Sequence, residues 1–214
     1  MVCMRDWVAW HTAYEDPSSS LSARLRRVRY HLSEAIDRAP AGLVSVVSLC
    51  AGQGRDVIGV LPGHPRRDDV SAVLIEADAS NAAWARRTAA EAKLAQVDVR
   101  RADASLVASF ADALPADVLL LCGIFGNVSD RDIQRTVEAA PALCHPEATV
   151  IWTRHRRPPD LTPRVRGWFA ASGFEEIAFD ALATDTLIGV GVNRLRRAAA
   201  FALPAGPLFT FGTG

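Results

Sequence analysis

Five short stretches hold the side chains and turns with which this sequence could do chemistry. The first is Ala51-Gly52-Gln53-Gly54, a small-residue turn after the apolar run VSVVSL. Backbone can approach a nucleoside ligand there with no side chain in the way. The second is Glu76, with Asp78 just beyond it. A carboxylate at the end of a strand can accept charge-assisted hydrogen bonds from both hydroxyls of a ribose. The third is Asp103-Ala104 and the fourth Gly123-Ile124-Phe125-Gly126-Asn127. The fifth is Thr153-Arg154-His155-Arg156-Arg157. A histidine among arginines could serve as a general base, its pKa pushed down by the neighbouring cations. The guanidinium groups could hold an anionic substrate in a fork geometry. His11 and Tyr14, one helical turn apart, are further candidate bases. Asp78 and Asp56 have blander roles, as a helix N-cap and as a first-turn acid.

These stretches share a place in the chain: each follows a predicted strand. Strands are expected at 43–49, 72–75, 97–101, 117–122 and 148–154, with helices at about 55–61, 80–94, 104–114, 130–143 and 162–172 between or after them. The run at 117–122 is nearly all apolar, as befits a strand buried on both faces. In an open α/β sheet, ligands bind beyond the carboxyl ends of the strands, which would put all five stretches on one edge. The last two strands, 174–179 and 187–195, have no room for a crossover helix between them and should pair antiparallel. The expected fold is therefore α/β, a Rossmann-like doubly wound seven-stranded sheet with a terminal antiparallel hairpin, preceded by an N-terminal helical segment.

That segment, 1–40, reads as two helices. Trp7, Trp10 and Tyr14 share one face of the first. Leu21, Leu25, Val28, Leu32 and Ile36 form the inward row of the second, with Arg24, Arg27 and Glu34 more outward. A core at 41–197 and a tail at 198–214, with an apolar tip at Leu208-Phe209-Thr210-Phe211, complete a single domain of 214 residues.

Composition narrows the function classes. Acidic and basic residues balance at 24 each. No electrostatic case exists for nucleic acid or an anionic membrane as partner. Only Lys93 among the basic residues is lysine, read here as compositional bias. The cysteines, Cys3, Cys50, Cys122 and Cys144, form no C-x-x-C pair, so neither a zinc site nor a disulfide framework is expected. No signal core or bilayer-length apolar stretch is visible, and the cytoplasm is the expected compartment. The balanced charge and the apolar tail tip are compatible with a homodimer.

The strand, glycine turn and helix across 44–61 resemble the first motif of class I S-adenosylmethionine-dependent methyltransferases, an acidic-x-G-x-G-x-G turn. Ser48 stands where the acid is usual and Cys50 where the first glycine is usual. A dinucleotide-binding turn would want its third glycine at the position of Val57, so a nicotinamide-dependent oxidoreductase fits less well. SLCAGQGRD, LLLCGIFGN, VIWTRHRRPPD and LFTF together resemble a bacterial methyltransferase family of unassigned substrate, over residues 7–211.

The resemblance implies S-adenosyl-L-methionine as cofactor. It implies Ala51, Gly52, Gln53 and Gly54 at its turn, Glu76 on its ribose, Asp103 and Ala104 on its adenine, and Gly123 beneath its methionine part. Arg154 and Asn127 are the candidate acceptor-binding residues, and His155, then His11 or Tyr14, the candidate bases. The loop 123–127 is not of the N-P-P-Y or D-P-P-Y type that reads exocyclic amines of nucleic-acid bases, so the expected acceptor is a small molecule, and the arginines of 154–157 are compatible with its being anionic. The competing expectation keeps the fold and the cofactor but assigns a role without methyl transfer or without catalysis.

Overall fold

The computed structural model describes residues 12–182, 187–197, 203 and 206–211. The expectations for Trp7, Trp10, His11 and most of 198–205 fall outside them. Seven strands form one sheet in the order β3-β2-β1-β4-β5-β7-β6. They are β1 (Val44–Leu49), β2 (Val70–Glu76), β3 (Val97–Arg101), β4 (Ala116–Leu121), β5 (Cys144–His155), β6 (Phe174–Leu182) and β7 (Ile188–Leu195). The first five are parallel, and β7 runs antiparallel to both β5 and β6. The chain winds outward from β1 to β3, then crosses back to lay β4 beside β1. This reversal is the switch point where α/β folds open a crevice.

β4 is buried at every position but Asp117, as its apolar run requires. Asp117 fixes the register instead. Its Oδ2 accepts hydrogen bonds from the backbone N–H (2.8 Å) and hydroxyl (3.0 Å) of Ser45, and its N–H donates to Ser45 Oγ (2.9 Å).

Helices α1 (Ser20–Arg38), α2 (Val57–Val60), α3 (Ala79–Glu91), α4 (Asp130–Leu143) and α5 (Thr162–Ala171) cover the sheet. Ser19, Asp78 and Ser129 cap α1, α3 and α4 by accepting the N–H of Ser22, Asn81 and Asp132. Leu32, Ile36, Val57, Ile58 and Ala85 pack on one face over Val46, Leu74 and Val118. Ile133, Val137, Val165 and Phe169 pack on the other over Val47, Leu119 and Trp152. Each fully buried Val, Leu, Ile or Phe side chain among them contributes about 1.5–3 kcal/mol.

Several boundaries differ from the sequence expectation. Residues 104–114 form two short 3-10 turns, Val107–Ser109 and Ala111–Ala113, rather than a helix. Phe110 sits between them at φ −146°, and its ring is fully buried. Tertiary burial breaks the helical pattern there. The helix expected at 55–61 is a single α turn continued by the 3-10 turn Leu61–Gly63, because Pro62 brings no N–H to extend it. β5 begins earlier than expected, at Cys144, with a register shift against β4 and Glu147 at φ +66°. In α1 the buried row is Val28, His31, Leu32, Ala35 and Ile36, whereas Leu21 and Leu25 are only half-buried.

His31 owes its place to Asp180 on β6. The Asp180 carboxylate accepts from Arg27 Nε (2.8 Å) and Nη2 (2.9 Å), with His31 Nε2 2.5 Å from Oδ2. Burial alone would raise the Asp180 pKa, but the bonds from Arg27 and His31 more than offset it and hold the group below the usual carboxylate range. A depressed folded-state pKa stabilises above the unfolded value, and that stabilisation is lost as pH falls through the folded one. Asp180→Asn is expected to lower stability by about 1.5–3 kcal/mol at neutral pH. Urea unfolding should show the gap closing as pH drops below the ordinary aspartate range. A gap that does not change with pH would refute this account.

Candidate active site

The glycine turn repeats one backbone conformation three times. Cys50, Gly52 and Gly54 have φ of +55°, +57° and +64°. A side chain in this region costs about 1–2 kcal/mol, so Cys50 holds a glycine-like conformation without being glycine. Ala51 N donates to Ile75 O (2.9 Å) and Gly54 N to Ala51 O (2.8 Å), which ties the turn to the end of β2. At Gly54 the constraint is also spatial, since a Cβ would lie 2.6 Å from Leu74 Cδ2 and 2.9 Å from Ile58 Cδ1. Ser48 is buried within β1. Asp56, which follows the turn, is buried and accepts from the N–H of Val57 (2.8 Å). Burial pushes its pKa up, against that hydrogen bond and the charges of Arg24 and Arg29.

Glu76 stands at the end of β2, directly beside the turn. Its Oε2 accepts from Gly52 N (2.7 Å) and its Oε1 from Asp78 N (2.8 Å). Each carboxylate oxygen has a second lone pair, so both remain able to accept from a ligand. Burial raises its pKa, opposed by the N–H groups of Asp78 and Gly52. One strand further out, Asp103 is exposed and accepts from Ser105 N through Oδ1 (2.9 Å), and Ala104 is buried beneath it.

The loop after β4 is held by the end of β5. Gly123, at φ +82°, donates its N–H to Thr153 Oγ1 (3.0 Å), and its missing Cβ would face open space. Arg154 Nη1 donates to Phe125 O. Gly126 makes room for His155, whose Cδ2 would lie 3.3 Å from a Cβ there. Asn127 turns back on its own loop, its Nδ2 donating to Gly123 O (2.8 Å). Two atoms of this end, Arg154 Nε and His155 Nδ1, are buried without a hydrogen-bond partner among the described residues. Burial lowers the His155 pKa, as do Arg154 and Arg157, against the opposing charge of Asp160.

The N-terminal segment meets the other side of the turn. Tyr14 lies in the 3-10 turn Thr12–Glu15, and its hydroxyl accepts from Arg24 Nη2 (2.5 Å). The Arg55 guanidinium lies 5.4 Å from the Tyr14 ring centre and 4.8 Å from that of Trp84, with Nε bonded to Gln53 Oε1 (2.8 Å). Arg29 donates to Arg55 O through Nε (2.9 Å) and Nη2 (2.6 Å). Sequence reasoning missed Arg29, Arg55 and Trp84, because no local spacing pairs them, and it placed Thr153 in the fifth stretch without its bond to Gly123. The nearby thiols are poor nucleophiles: burial pushes Cys50 up, and Cys122 up to about 12. Among the described residues no group of three or more His, Cys, Asp or Glu could hold a metal ion, and no helix is long and apolar enough to cross a membrane.

No protein-family model matches the chain, and no curated protein does. Solved structures do match. An O-methyltransferase family protein from Burkholderia thailandensis aligns with a TM-score of 0.61 at 16% identity, over 81% of this chain and 57% of that one. The precorrin-6y C5,15-methyltransferase of Geobacter metallireducens GS-15 aligns at 0.59 and 12% identity, over 80% and 88%. The magnesium protoporphyrin IX methyltransferase of Synechocystis PCC 6803, with bound S-adenosylmethionine, aligns at 0.69 and 10% identity, over 90% and 92%. The fold is that of the class I S-adenosylmethionine-dependent methyltransferases.

The contacts at Gly54 set a test of the turn. Gly54→Ala adds strain and overlap together and is expected to destabilise by about 2–4 kcal/mol. Gly63→Ala, where a Cβ would meet nothing within 4 Å, should change stability by less than about 1 kcal/mol. Chemical denaturation of the two variants compares them directly, and equal effects would contradict the packing described.

Proposed function

We propose that this chain is an S-adenosylmethionine-dependent methyltransferase acting on a small molecule that carries an anionic group. The observation behind this is the Glu76 carboxylate, fixed by the N–H groups of Gly52 and Asp78 next to the switch point, with lone pairs left for the two hydroxyls of a ribose. The fold shared with cofactor-bound methyltransferases supports the same reading. Ala51, Gly52, Gln53 and Gly54 would border the cofactor on one side. Asp103 and Ala104 would meet its base, and Gly123 would leave room for its methionine part.

S-adenosylmethionine, when bound, supplies a methyl group already activated on a sulfonium. The chain's own task is then to hold an acceptor in line, and positioning of this kind is worth about 7–11 kcal/mol. Arg154 and His155 suit that task. Arg154 Nε and His155 Nδ1 are buried polar atoms without a partner among the described residues, and a shift of the Phe125-Gly126 loop packed on them would let an anionic group and the acceptor's proton satisfy both. The depressed pKa keeps His155 neutral at pH 7 and able to accept the acceptor's proton. Asn127 would contribute through the loop it closes. Because α1 is packed into the core, the lid role proposed for the N-terminal segment falls to the residues before it, with Tyr14, or His11 outside the described residues, as an alternative base.

Calorimetric titration with S-adenosylhomocysteine tests the cofactor. Micromolar binding is expected, weakened about 10- to 100-fold in Glu76→Ala. Affinity should fall as pH drops through the raised Glu76 pKa, because the protonated acid loses acceptor capacity. Glu76→Gln should bind weakly with no such step. Absence of wild-type binding would overturn the proposal. Binding without transfer to any of a broad panel of small acceptors would favour the reading without catalysis. His155 should titrate below the usual 6.5 by NMR, and with an acceptor in hand His155→Gln should slow turnover by about 10²–10⁴. A normal pKa and unchanged turnover would remove it as the base.

A further inference from the structure

We infer that residues 208–211 form part of the cofactor's binding wall, and that the Phe211 ring is the aromatic face on which the adenine stacks. The inference rests on the cofactor reading above and concerns a residue outside the strand-end loops that define that site. The segment is built as an anchor followed by a presented ring. Leu208 and Phe209 are fully buried in the core that contains Ala104, Phe125 and Ile133. Leu208 N donates to Ser105 O (2.8 Å), and Leu208 O accepts from Arg135 Nε (3.0 Å) and Thr136 Oγ1 (3.0 Å). Thr210 N donates to Asp132 Oδ2 (3.2 Å), and Phe211 forms an antiparallel bridge with Val128.

One end of the segment is thus fixed two residues beyond Asp103 and the other one residue beyond Asn127. It spans the loops that follow β3 and β4, the two that flank the ends of β1 and β2. Phe211 is 44% exposed, and the buried Phe209 ring braces it edge-on, with centroids 5.5 Å apart and planes at 76°. An aromatic ring held this firmly yet left half in solvent offers a flat apolar surface. A ribose held by Glu76 directs its base toward the neighbouring β3 loop. There Asp103 has committed Oδ1 to Ser105 N and has Oδ2 to receive an exocyclic amine. Leu208 and Phe209 satisfy the structural need for the segment, so Phe211 adds little to the core.

The test titrates S-adenosylhomocysteine and methylthioadenosine, which lacks the amino-acid half, into the full chain and its variants. Phe211→Ala should weaken both ligands by about tenfold while leaving the melting temperature within about 3 °C. Phe211→Tyr should bind like the wild type. Phe211→Leu, apolar but without a ring, should lose nearly as much as the alanine variant. Wild-type affinity in Phe211→Ala or Phe211→Leu, with binding still lost in Glu76→Ala, would overturn the stacking role and leave the cofactor reading intact. Loss for S-adenosylhomocysteine but not methylthioadenosine would put the ring at the amino-acid half and overturn the adenine assignment. Failure of the wild type to bind either ligand would overturn both readings.

Discussion

The path of the backbone between Leu49 and Val57 constrains the rest of the molecule. Within a few residues the chain must leave a buried parallel strand, expose N–H groups at the sheet edge and enter a helix. It does so through three residues in the left-handed region. A turn of this shape needs something to hold it, and β2 does. The Ile75 carbonyl takes Ala51 N and the Glu76 carboxylate takes Gly52 N. Leu74 fills the space a side chain at Gly54 would need. The same three residues of β2 that lock the turn also carry the acidic group beside it, so the glycine turn and the candidate ribose acceptor form one unit.

Much of this unit was legible in the sequence, for local reasons. A β-branched run followed by small residues marks a strand entering a tight turn, and the strand-end acids follow from the alternation of apolar runs with helical spacing. The hairpin was legible from the absence of room for a crossover. What could not be read depends on distant partners or on backbone shape. Nothing about a cysteine signals a φ of +55°, as found at Cys50. His31 meets Asp180 from 149 positions away. Leu106, Val107, Phe110 and Leu114 have helical spacing, yet the burial of Phe110 is met by two short turns. Arg154 and His155 stood out by composition, but only the folded arrangement leaves each with a buried atom without a partner among the described residues.

The excess of arginine over lysine also has a structural use that composition could not show. Arg66 Nη1 donates to Ile36 O (2.6 Å) and Ala39 O (2.8 Å), and its Nη2 to Pro40 O (2.8 Å) and Gly42 O (3.1 Å). Two of these carbonyls, Ile36 and Ala39, are ones the end of α1 leaves without intrahelical donors. Arg29 reaches Arg55 O, Arg86 reaches Val99 O and Arg135 reaches Leu208 O in the same way. A guanidinium offers five donors in a fixed plane, and an ammonium could not serve several fixed carbonyls at once. Loops and helix ends on both edges of the sheet are therefore satisfied by side chains.

The terminal hairpin completes this logic at the far side of the crevice. Trp152 of β5 is fully buried, stacked on Phe169 (5.8 Å between centroids, 15° between planes), with its Nε1–H donated to Asn193 Oδ1 (2.8 Å). Its indole occupies the space above Gly191 of β7, where a Cβ would fall 2.2 Å from Cε2. β7 is thus shaped to receive Trp152, and Trp152 sets the position of the three residues that follow it. Thr153 holds Gly123, Arg154 holds Phe125 O, and His155 lies against Gly126. The loop after β4 therefore takes its position from the β5–β7 pairing, which begins two strands away from β1 and its glycine turn. Groups that must align a reaction need rigid support beneath them, and here antiparallel β7, packed against Trp152, supplies it at the end of β5.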